Sequence, residues 1–239
     1  MKRLSSLTIF FPFYNDEATV ERQIKLAYKI GRSVASEVEV IAIHGGNSRD
    51  NTLREIRRMK SIFPSLIIIN KTNNFEGYAV IKHGFYKATK DWVYYTDGDA
   101  QYHLEEDLPK LVAKQIKTGA SVINGYKKRR SDNILRVMAG DVYRKLAKLI
   151  FRLPIRDVDC DSRLIKRSLI EKIKLDSHDA SILPELIKKL EMMGAKFSEV
   201  PVSHYARIYG TSNYSIWSLF KEKLIGDFKL YFYFKRKSY

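Results

Sequence analysis

Short apolar runs alternate with helical repeats along the first 125 residues. β-Branched and aromatic residues are concentrated in five strand-length runs, at residues 7–11, 38–43, 66–69, 92–95 and 121–124. Between the runs, apolar residues recur every three or four positions, as they do on one face of a helix. Strands that alternate with helices predict an α/β fold with a mostly parallel central sheet and helices on both of its faces.

The second half of the chain is less regular. Its pattern predicts a helix over 133–151, a strand over 163–166, a helix that ends at Gly194 and a final strand over 197–200. No internal repeat, linker or stretch rich in Gly, Ser and Pro marks a boundary between domains. We therefore predict one domain followed by a C-terminal extension.

Charge is distributed unevenly. The formal net charge is +16, and +12 of it lies in residues 121–239. A basic half implies an anionic partner, which could be nucleic acid, a phosphorylated small molecule or an anionic membrane surface. No zinc finger, ribonucleoprotein signature or helix-turn-helix pattern accompanies the charge, so we expect no nucleic-acid partner.

Two further observations limit the setting in which the protein works. Cys160 is the single cysteine, which excludes an internal disulfide and agrees with a reducing, cytoplasmic compartment. No signal peptide is apparent, and no apolar run approaches the ~20 residues of a spanning helix.

The residues after the fourth predicted strand carry the clearest chemistry. Asp97 and Asp99 lie at the carboxyl end of a buried strand, where open α/β sheets bind ligands. Two carboxylates supply the hard oxygen ligands that Mg²⁺ and Mn²⁺ prefer, usually together with substrate phosphates. The alternative is a polar turn, because Asp-Gly is a common turn dipeptide. Polar Gln101, two residues further on, favours the metal site.

Other predicted strands end in small or acidic residues. Asp16 and Glu17 follow the first strand, and their alternative role is to cap the next helix. Gly77 and Gly84 follow the third strand, where glycine lets a backbone approach a ligand closely or simply packs a helix.

Basic residues follow the fifth and the last strands. Residues 127–130 are four consecutive basic residues, which would bind phosphate at the ligand edge or otherwise form a solvated face. Residues 200–212 form a strand exit that carries His204, Arg207 and Gly210.

Five segments of the sequence recur, in this order, in one enzyme family. They are Tyr-Asn-Asp-Glu (14–17), Thr-Asp-Gly-Asp-Ala-Gln (96–101), Gly-Tyr-Lys-x-Arg-Arg-Ser-Asp (125–132), Asp-Val-Asp-Cys-Asp-x-Arg-Leu-Ile (157–165) and Val-Pro-Val-x-His-Tyr-x-Arg-x-Tyr-Gly-x-Ser (200–212). The chain resembles family 2 glycosyltransferases of the GT-A fold, in particular the dolichyl- and undecaprenyl-phosphate sugar transferases. The resemblance extends over about residues 5–215. It implies that residues 1–213 are the GT-A catalytic domain, with a nucleotide-diphospho-sugar transferase fold.

The resemblance also implies a reaction and a site. A sugar would pass, with inversion, from a UDP- or GDP-linked donor to a polyprenyl phosphate. The implied ligands of Mg²⁺ or Mn²⁺ are Asp97, Asp99 and Gln101. The implied nucleotide-sugar site comprises Pro12, Tyr14, Asn15, Asp16, Glu17, Gly45, Asn47, Gly77, Asp97 and Gly98. The implied acceptor-phosphate site comprises Lys127, Arg129, Arg130, Ser131, Arg207 and Ser212. The implied catalytic residues are Asp97, Asp99, Arg129 and Arg207.

This assignment is coherent physically. A phosphate monoester is already ionised near pH 7, so its attack on a sugar needs little help from a general base. The protein must instead hold two anionic reactants together and stabilise the departing nucleoside diphosphate, which metal and guanidinium groups can do.

The sequence departs from the family pattern after the second strand. Residues 44–47 read His-Gly-Gly-Asn, where the family usually has Asp-Asp-Gly-Ser. A carboxylate that contacts the nucleotide base is therefore missing, and a charged hydrogen bond of this kind contributes roughly 1.5–3 kcal/mol. Asn47 or His44 is a candidate substitute.

Three hypotheses follow for the activity. The first is transfer to a polyprenyl phosphate. The second is transfer to a saccharide hydroxyl, which needs a carboxylate base such as Asp157, Asp159 or Asp161. The third is a degenerate homologue that binds nucleotide sugars without transferring them.

Residues 214–239 form a basic, aromatic C-terminal extension. Aromatic and aliphatic residues alternate there with lysines, which is the pattern of a helix that lies in a membrane interface. The alternative is a terminal helix packed on the core with a solvated basic face. We expect peripheral association with the anionic cytoplasmic face of a membrane.

Overall fold

A seven-stranded sheet runs through the centre of the molecule. The computed structural model describes residues 2–72, 76–128, 134–207, 209 and 216–237. Its strands are β1 (Leu4–Phe13), β2 (Ala35–His44), β3 (Ile67–Asn70), β4 (Trp92–Tyr95), β5 (Val122–Lys127), β6 (Arg163–Lys166) and β7 (Phe197–Val202). They lie in the order β3-β2-β1-β4-β6-β5-β7. Only β6 runs antiparallel to its neighbours, which confirms the mostly parallel sheet.

Helices connect and cover the strands. They are α1 (Glu17–Val34), α2 (Thr52–Ile62), α3 (Ile81–Lys87), α4 (Leu104–Thr118), α5 (Ile134–Phe151), α6 (Arg167–Ile170), α7 (Ile182–Met192) and α8 (Ile216–Lys237), with a 3₁₀ turn at Gly77–Val80. The predicted strands and helices are confirmed, and several strands are longer than predicted.

The longer strands have a common cause. The ladder between β1 and β2 continues from Leu4 and Ala35 to Phe13 and His44, and it includes polar residues that the apolar pattern omits. In the same way β5 extends to Lys127, which therefore ends a strand instead of following one. Backbone pairing along a neighbouring strand fixes these ends, and an apolar pattern does not record it.

The two faces of the sheet bury two separate cores. Along β1, Ile9 and Phe11 pack into a cluster with α1, α2 and α4, whereas Phe10 packs on the opposite face. The opposite cluster includes residues of α3, α5 and α7. A sheet that is covered on both faces leaves its carboxyl edge as the open place for a ligand.

The C-terminal helix α8 joins the second of these cores. Its Leu230 and Phe234 are buried in the cluster, and the Phe234 ring lies 6.4 Å from that of Phe151 on α5. Helix α8 therefore packs on the domain, in agreement with the alternative interpretation of residues 214–239 as a terminal helix packed on the core. A domain boundary at residue 213 stays a prediction. Within the described ranges, no helix is both long and apolar enough to cross a membrane.

Candidate active site

The loop after β4 is pressed tightly against the end of β1. The Gly98 N–H donates to the Pro12 carbonyl at 3.2 Å. A Cβ on Gly98 would lie 2.3 Å from the Phe13 ring, so no other residue fits without displacing it. Ala100 adopts a positive φ of 61°, an uncommon conformation that occurs where the surroundings enforce it. The loop thus has a defined shape that holds the carboxylates of Asp97 and Asp99 at the carboxyl edge.

Three carboxylates, which we call the edge carboxylates, meet at this point: Asp16, Asp97 and Asp99. Burial is the main cause that raises the pKa of Asp97 well above its usual value, and the charges of Asp161 and Asp99 raise it further. Burial also raises the pKa of Asp16 to about 7, with a further contribution from Asp99. Burial and the neighbouring carboxylates therefore disfavour the charged forms of Asp16 and Asp97.

Arg207 is the cation that lies against this cluster. Its Nη2 lies 2.5 Å from Oδ2 of Asp99, in an ion pair between residues 108 positions apart in the sequence. Asp99, Asp16 and Asp97 all raise the pKa of Arg207, although its burial acts in the opposite direction. A residue predicted to bind the acceptor phosphate thus contacts a residue predicted to bind metal.

Gln101 and Tyr205 connect the two segments. The Gln101 side-chain amide donates to the Tyr205 carbonyl at 3.0 Å, and the Tyr205 N–H donates to the Gln101 carbonyl at 2.9 Å. The Tyr205 hydroxyl donates to Glu106 on α4 at 3.1 Å. The structure therefore gives Gln101 a positioning role, and its predicted role as a metal ligand stays a prediction.

The loops after β1 and β2 are bound to each other. The Asn15 Oδ1 accepts the Arg49 N–H at 2.7 Å, and the Asn15 N–H donates to Ser48 at 3.3 Å. Glu17 accepts the Asn51 N–H at 2.7 Å, and its own N–H donates to Asp50 at 3.0 Å. These reciprocal bonds join residues 14–17 to residues 47–52, and we call the two loops together the rim. The position of the rim is compatible with the predicted nucleotide site.

Asp16 serves this rim and does not cap α1 through its side chain. It occupies the N-cap position, but its side chain makes no capping hydrogen bond. Its carboxylate instead accepts the Tyr14 N–H at 2.8 Å. The capping alternative for Asp16 is therefore wrong.

Residues 44–47, where the sequence departs from the family pattern, adopt a distinctive backbone conformation. Gly46 and Asn47 both adopt positive φ, at 83° and 53°. His44 is buried, and its Nδ1 lies 3.0 Å from Oδ1 of Asn70. The Thr72 N–H also donates to that Asn70 oxygen at 3.1 Å. The Nε2 atom of His44 is buried, and the role of His44 as a substitute for the missing carboxylate stays a prediction.

The remaining residues predicted for the site lie in separate parts of the structure. Gly77 begins the 3₁₀ turn with a φ of 51°, next to Glu76, which lies near Lys71, Lys82 and His83. The Lys127 amine donates to the Asp159 carbonyl, and its backbone N–H donates to Asp157 at 3.2 Å. The predicted residues Arg129, Arg130, Ser131 and Ser212 lie outside the described residues.

Residues 157–161, which we call the acidic segment, are held from several sides. Lys223 on α8 pairs with Asp159 at 2.7 Å. Asp157 lies 3.8 Å from Arg144 on α5. The Tyr95 hydroxyl donates to Asp161 at 3.2 Å. Asp157 and Asp159, two of the three candidate bases, thus have partners that hold the fold together.

Arg163 is the residue with structural importance that the sequence analysis missed. It is fully buried in β6, where it donates to the Tyr95 hydroxyl at 2.8 Å and also to Asn124 and the Val158 carbonyl. Its charge lowers the pKa of Asp161, against the larger effect of burial. A charged residue at the start of the predicted strand 163–166 is the signal that could have revealed it, because buried charges need partners.

The edge carboxylates fit a divalent cation in charge and in chemistry. Two hard carboxylates, with excess negative charge around them, match the sites in which Mg²⁺ or Mn²⁺ is held jointly by protein and substrate phosphates. In the described part of the chain, no group of three or more His, Cys, Asp or Glu side chains is arranged to hold a metal by itself.

Comparison with known proteins shows the family to which the chain belongs. The sequence profile of "Glycosyl transferase family 2" matches residues 8–174. This chain belongs to glycosyl transferase family 2. An undecaprenyl-phosphate 4-deoxy-4-formamido-L-arabinose transferase of Salmonella choleraesuis (strain SC-B67) is 24% identical over 90% of the chain. The chain spans 64% of that protein's length, which is less than two thirds.

Solved structures with the same fold are GT-A glycosyltransferases. A mannosyltransferase from Pyrobaculum calidifontis, in complex with GDP-Man and Mn²⁺, has a TM-score of 0.66 and 20% identity. That match covers 96% of this chain and 64% of the other. Glucosyl-3-phosphoglycerate synthase from Mycobacterium tuberculosis, in complex with Mn²⁺ and UDP-Glc, has a TM-score of 0.64 and 16% identity, with 92% and 78% coverage. The predicted GT-A fold is thus confirmed.

Proposed function

We propose that the protein transfers a sugar from a nucleotide-diphosphate sugar to a polyprenyl phosphate, with a divalent cation at Asp97 and Asp99. The observation that carries the proposal is the contact between Asp99 and Arg207. It brings a carboxylate suited to the donor's metal beside a guanidinium suited to a phosphate. Two phosphate-bearing reactants could therefore meet at one edge of the sheet.

The chain's own residues divide the work. The rim formed by residues 14–17 and 47–52 would hold the nucleotide. A divalent cation on Asp97 and Asp99 would neutralise the diphosphate and stabilise it as it departs. Arg207, with the basic residues that begin at Lys127, would hold the acceptor phosphate, which is already ionised and needs no base. The Salmonella relative, an undecaprenyl-phosphate sugar transferase, supports a lipid phosphate as acceptor.

A screen of donors tests the reaction. Purified protein is incubated with UDP- and GDP-sugars, a short-chain polyprenyl phosphate and Mg²⁺ or Mn²⁺, and the lipid product is identified by mass spectrometry. We expect a glycosylated lipid phosphate, and about a 10³-fold or greater loss of rate in Asp97→Asn. Asp141→Asn, on the surface of α5, is the matched control and should retain activity.

The alternatives give different outcomes in the same screen. Transfer to a soluble saccharide but never to the lipid phosphate would contradict the acceptor and favour Asp161 as a base. Donor binding by calorimetry, without any product, would instead indicate the degenerate homologue. Full activity of Asp97→Asn would contradict the metal role.

We also propose that helices α5 and α8 bring the site to an anionic membrane. Large apolar side chains lie exposed at helical spacing on both helices: Met138, Val142, Leu146, Leu149 and Ile150 on α5, and Leu224, Ile225, Phe228, Tyr231 and Phe232 on α8. Exposed basic residues accompany them, including Lys145, Lys148, Lys229, Lys235 and Arg236. Apolar stripes beside basic side chains suit an anionic lipid surface.

Vesicle sedimentation tests the membrane proposal. We expect binding to vesicles with anionic lipid, weaker binding to neutral vesicles, and about a tenfold loss in the double variant Leu149→Ser, Phe228→Ser. Met192→Ser, which alters an exposed apolar residue of α7, is the control. A chain cut at residue 213 is less suitable, because it would also remove Leu230 and Phe234 from the core. Equal binding by the double variant and the wild-type protein would contradict the proposal.

A further inference from the structure

Both carboxylate oxygens of Asp99 are engaged within the protein. Oδ1 accepts the Gln101 N–H at 3.0 Å, and this bond belongs to the tightly shaped loop. Oδ2 pairs with Nη2 of Arg207 at 2.5 Å. A cation that binds Asp99 while the loop keeps its shape would therefore approach Oδ2, the oxygen that Arg207 contacts.

The Arg207 guanidinium and a metal ion would repel each other if both contacted Oδ2 of Asp99. A divalent cation binds carboxylate oxygen at about 2.0–2.2 Å, which would bring it within about 4 Å of the Arg207 charge. Like charges at that separation repel strongly in a partly buried site. A cation at Asp99 should consequently displace the guanidinium.

The segment that carries Arg207 is anchored two residues earlier, at Tyr205. Tyr205 is held by its paired hydrogen bonds with Gln101 and by its hydroxyl bond to Glu106. The Arg207 side chain itself is 23% exposed, compared with 7% for Asp99. The guanidinium therefore has contact with solvent, whereas the carboxylate that it pairs with is buried.

We propose that Arg207 substitutes for the divalent cation at Asp99 when the metal is absent, and that metal binding releases the guanidinium to bind the acceptor phosphate. The inference rests on the proposed function and adds an order to it. The donor with its cation binds first, and the acceptor phosphate site forms as a consequence. The acceptor is then held firmly only when the group that stabilises the departing diphosphate is in place.

Metal affinity tests the exchange without any turnover. Free Mn²⁺ is titrated into the wild-type protein, Arg207→Gln and Asp97→Asn at pH 8, and bound Mn²⁺ is followed by electron paramagnetic resonance. Removing the competing guanidinium should tighten Mn²⁺ binding by Arg207→Gln about ten- to a hundredfold relative to the wild-type protein. Arg22→Gln, which breaks the ion pair with Glu105 on the surface, is the matched control and should leave the affinity unchanged.

Phosphate affinity tests the release. A short-chain polyprenyl phosphate in detergent is titrated by calorimetry, with and without saturating Mn²⁺. Linkage requires Mn²⁺ to strengthen phosphate binding by the wild-type protein as much as phosphate strengthens Mn²⁺ binding, and we expect at least about fivefold. The Arg207→Gln variant should bind the phosphate weakly, and Mn²⁺ should no longer raise its affinity for the phosphate.

The outcomes separate this inference from the proposed function. If the wild-type protein binds no Mn²⁺ that depends on Asp97, the metal site and the exchange are both wrong. If the wild-type protein binds Mn²⁺ through Asp97, but Arg207→Gln binds it with equal or lower affinity, the exchange alone is wrong. Equal phosphate affinity with and without Mn²⁺ in the wild-type protein would likewise overturn the release of Arg207.

Discussion

The edge carboxylates and the acidic segment each bring several carboxylates close together, but they differ in how that charge is balanced. In the acidic segment, Asp159 pairs with Lys223, Asp157 lies near Arg144, and the buried Arg163 donates to the Val158 carbonyl and lowers the pKa of Asp161. At the edge, Arg207 is the cation among the described residues that offsets the charges of Asp16, Asp97 and Asp99. Where the chain supplies its own cations, a cluster stabilises the fold. Where charge remains in excess, the site is suited to a cation from outside.

Among the variants that test this comparison, Arg163→Met should have the largest effect on stability. The substitution keeps much of the side-chain volume but leaves Asn124, the Tyr95 hydroxyl and the Val158 carbonyl without their buried donor. We expect a loss of about 3–5 kcal/mol in the free energy of unfolding, measured by urea denaturation with circular dichroism.

The control for Arg163 is a nearby residue of the same type. Arg167→Met removes a surface ion pair with Glu171 and should cost less than about 1 kcal/mol. A loss below 1 kcal/mol for Arg163→Met as well would mean that the acidic segment does not need its buried cation.

A smaller effect is expected at the contact between α8 and the acidic segment. Lys223→Met keeps the apolar stem but leaves Asp159, whose side chain is 12% exposed, without its cation. Because this pair is less buried than Arg163, we expect a loss of about 2 kcal/mol in the free energy of unfolding.

Lys229→Met is the matched variant on the exposed side of α8 and should change stability by less than about 0.5 kcal/mol. Equal effects at the two lysines would show that α8 is held by apolar packing alone, through Leu230 and Phe234.

Much of this architecture follows from the sequence, because its signals are local. The run 92–95 is short, apolar and bounded by polar residues, and the predicted strand 163–166 has the apolar pair Leu164 and Ile165 at its centre. The structure gives both strands the predicted bounds. The residues at the ends of the strands predict the edge at which ligands bind. The antiparallel β6 is not predictable in this way, because pairing between distant strands leaves no periodic signal.

The site is less predictable than the fold for a related reason. Nothing in the pattern relates Asp99 to Arg207, 108 residues away, since their contact depends on how β4 and the segment after β7 meet. Helix α8 is apolar on more than one side, so its composition does not tell which side packs on the core. Arg163 begins a predicted strand next to Leu164 and Ile165, and the sequence does not record that its charge is buried.

Asp227 on α8, near the acidic segment, should make the stability of the protein depend on pH. Burial raises the pKa of Asp227 on α8 from its usual value to about 7, and the charge of Asp159 contributes to the rise. The folded protein therefore keeps this proton up to about pH 7, whereas the unfolded chain loses it near pH 4. Its contribution to stability is fully present below about pH 4 and is lost as the pH rises through about 7.

Asp227→Asn should remove that loss. We expect the wild-type protein to lose about 1 kcal/mol more than the variant between pH 6 and pH 8, measured as the free energy of unfolding in urea at each pH. The exposed Asp141→Asn serves as the control and should follow the wild-type curve. Parallel curves for Asp227→Asn and the wild-type protein would mean that this carboxyl titrates normally.

The smallest effect is expected at the edge carboxylates, and it distinguishes the two clusters most directly. Asp97→Asn removes one charge from a cluster in which burial and neighbouring carboxylates already disfavour that charge. We expect the free energy of unfolding of the metal-free protein to stay within about 1 kcal/mol of the wild-type value, or to rise, at pH 7. Thermal and urea unfolding, both with a chelator present, provide the measurement. The same substitution should abolish transfer, so stability and activity would change independently at this residue. Since Arg163→Met is expected to unfold the protein more readily, a comparable loss of stability in Asp97→Asn would show instead that the edge carboxylates are also part of the structural framework.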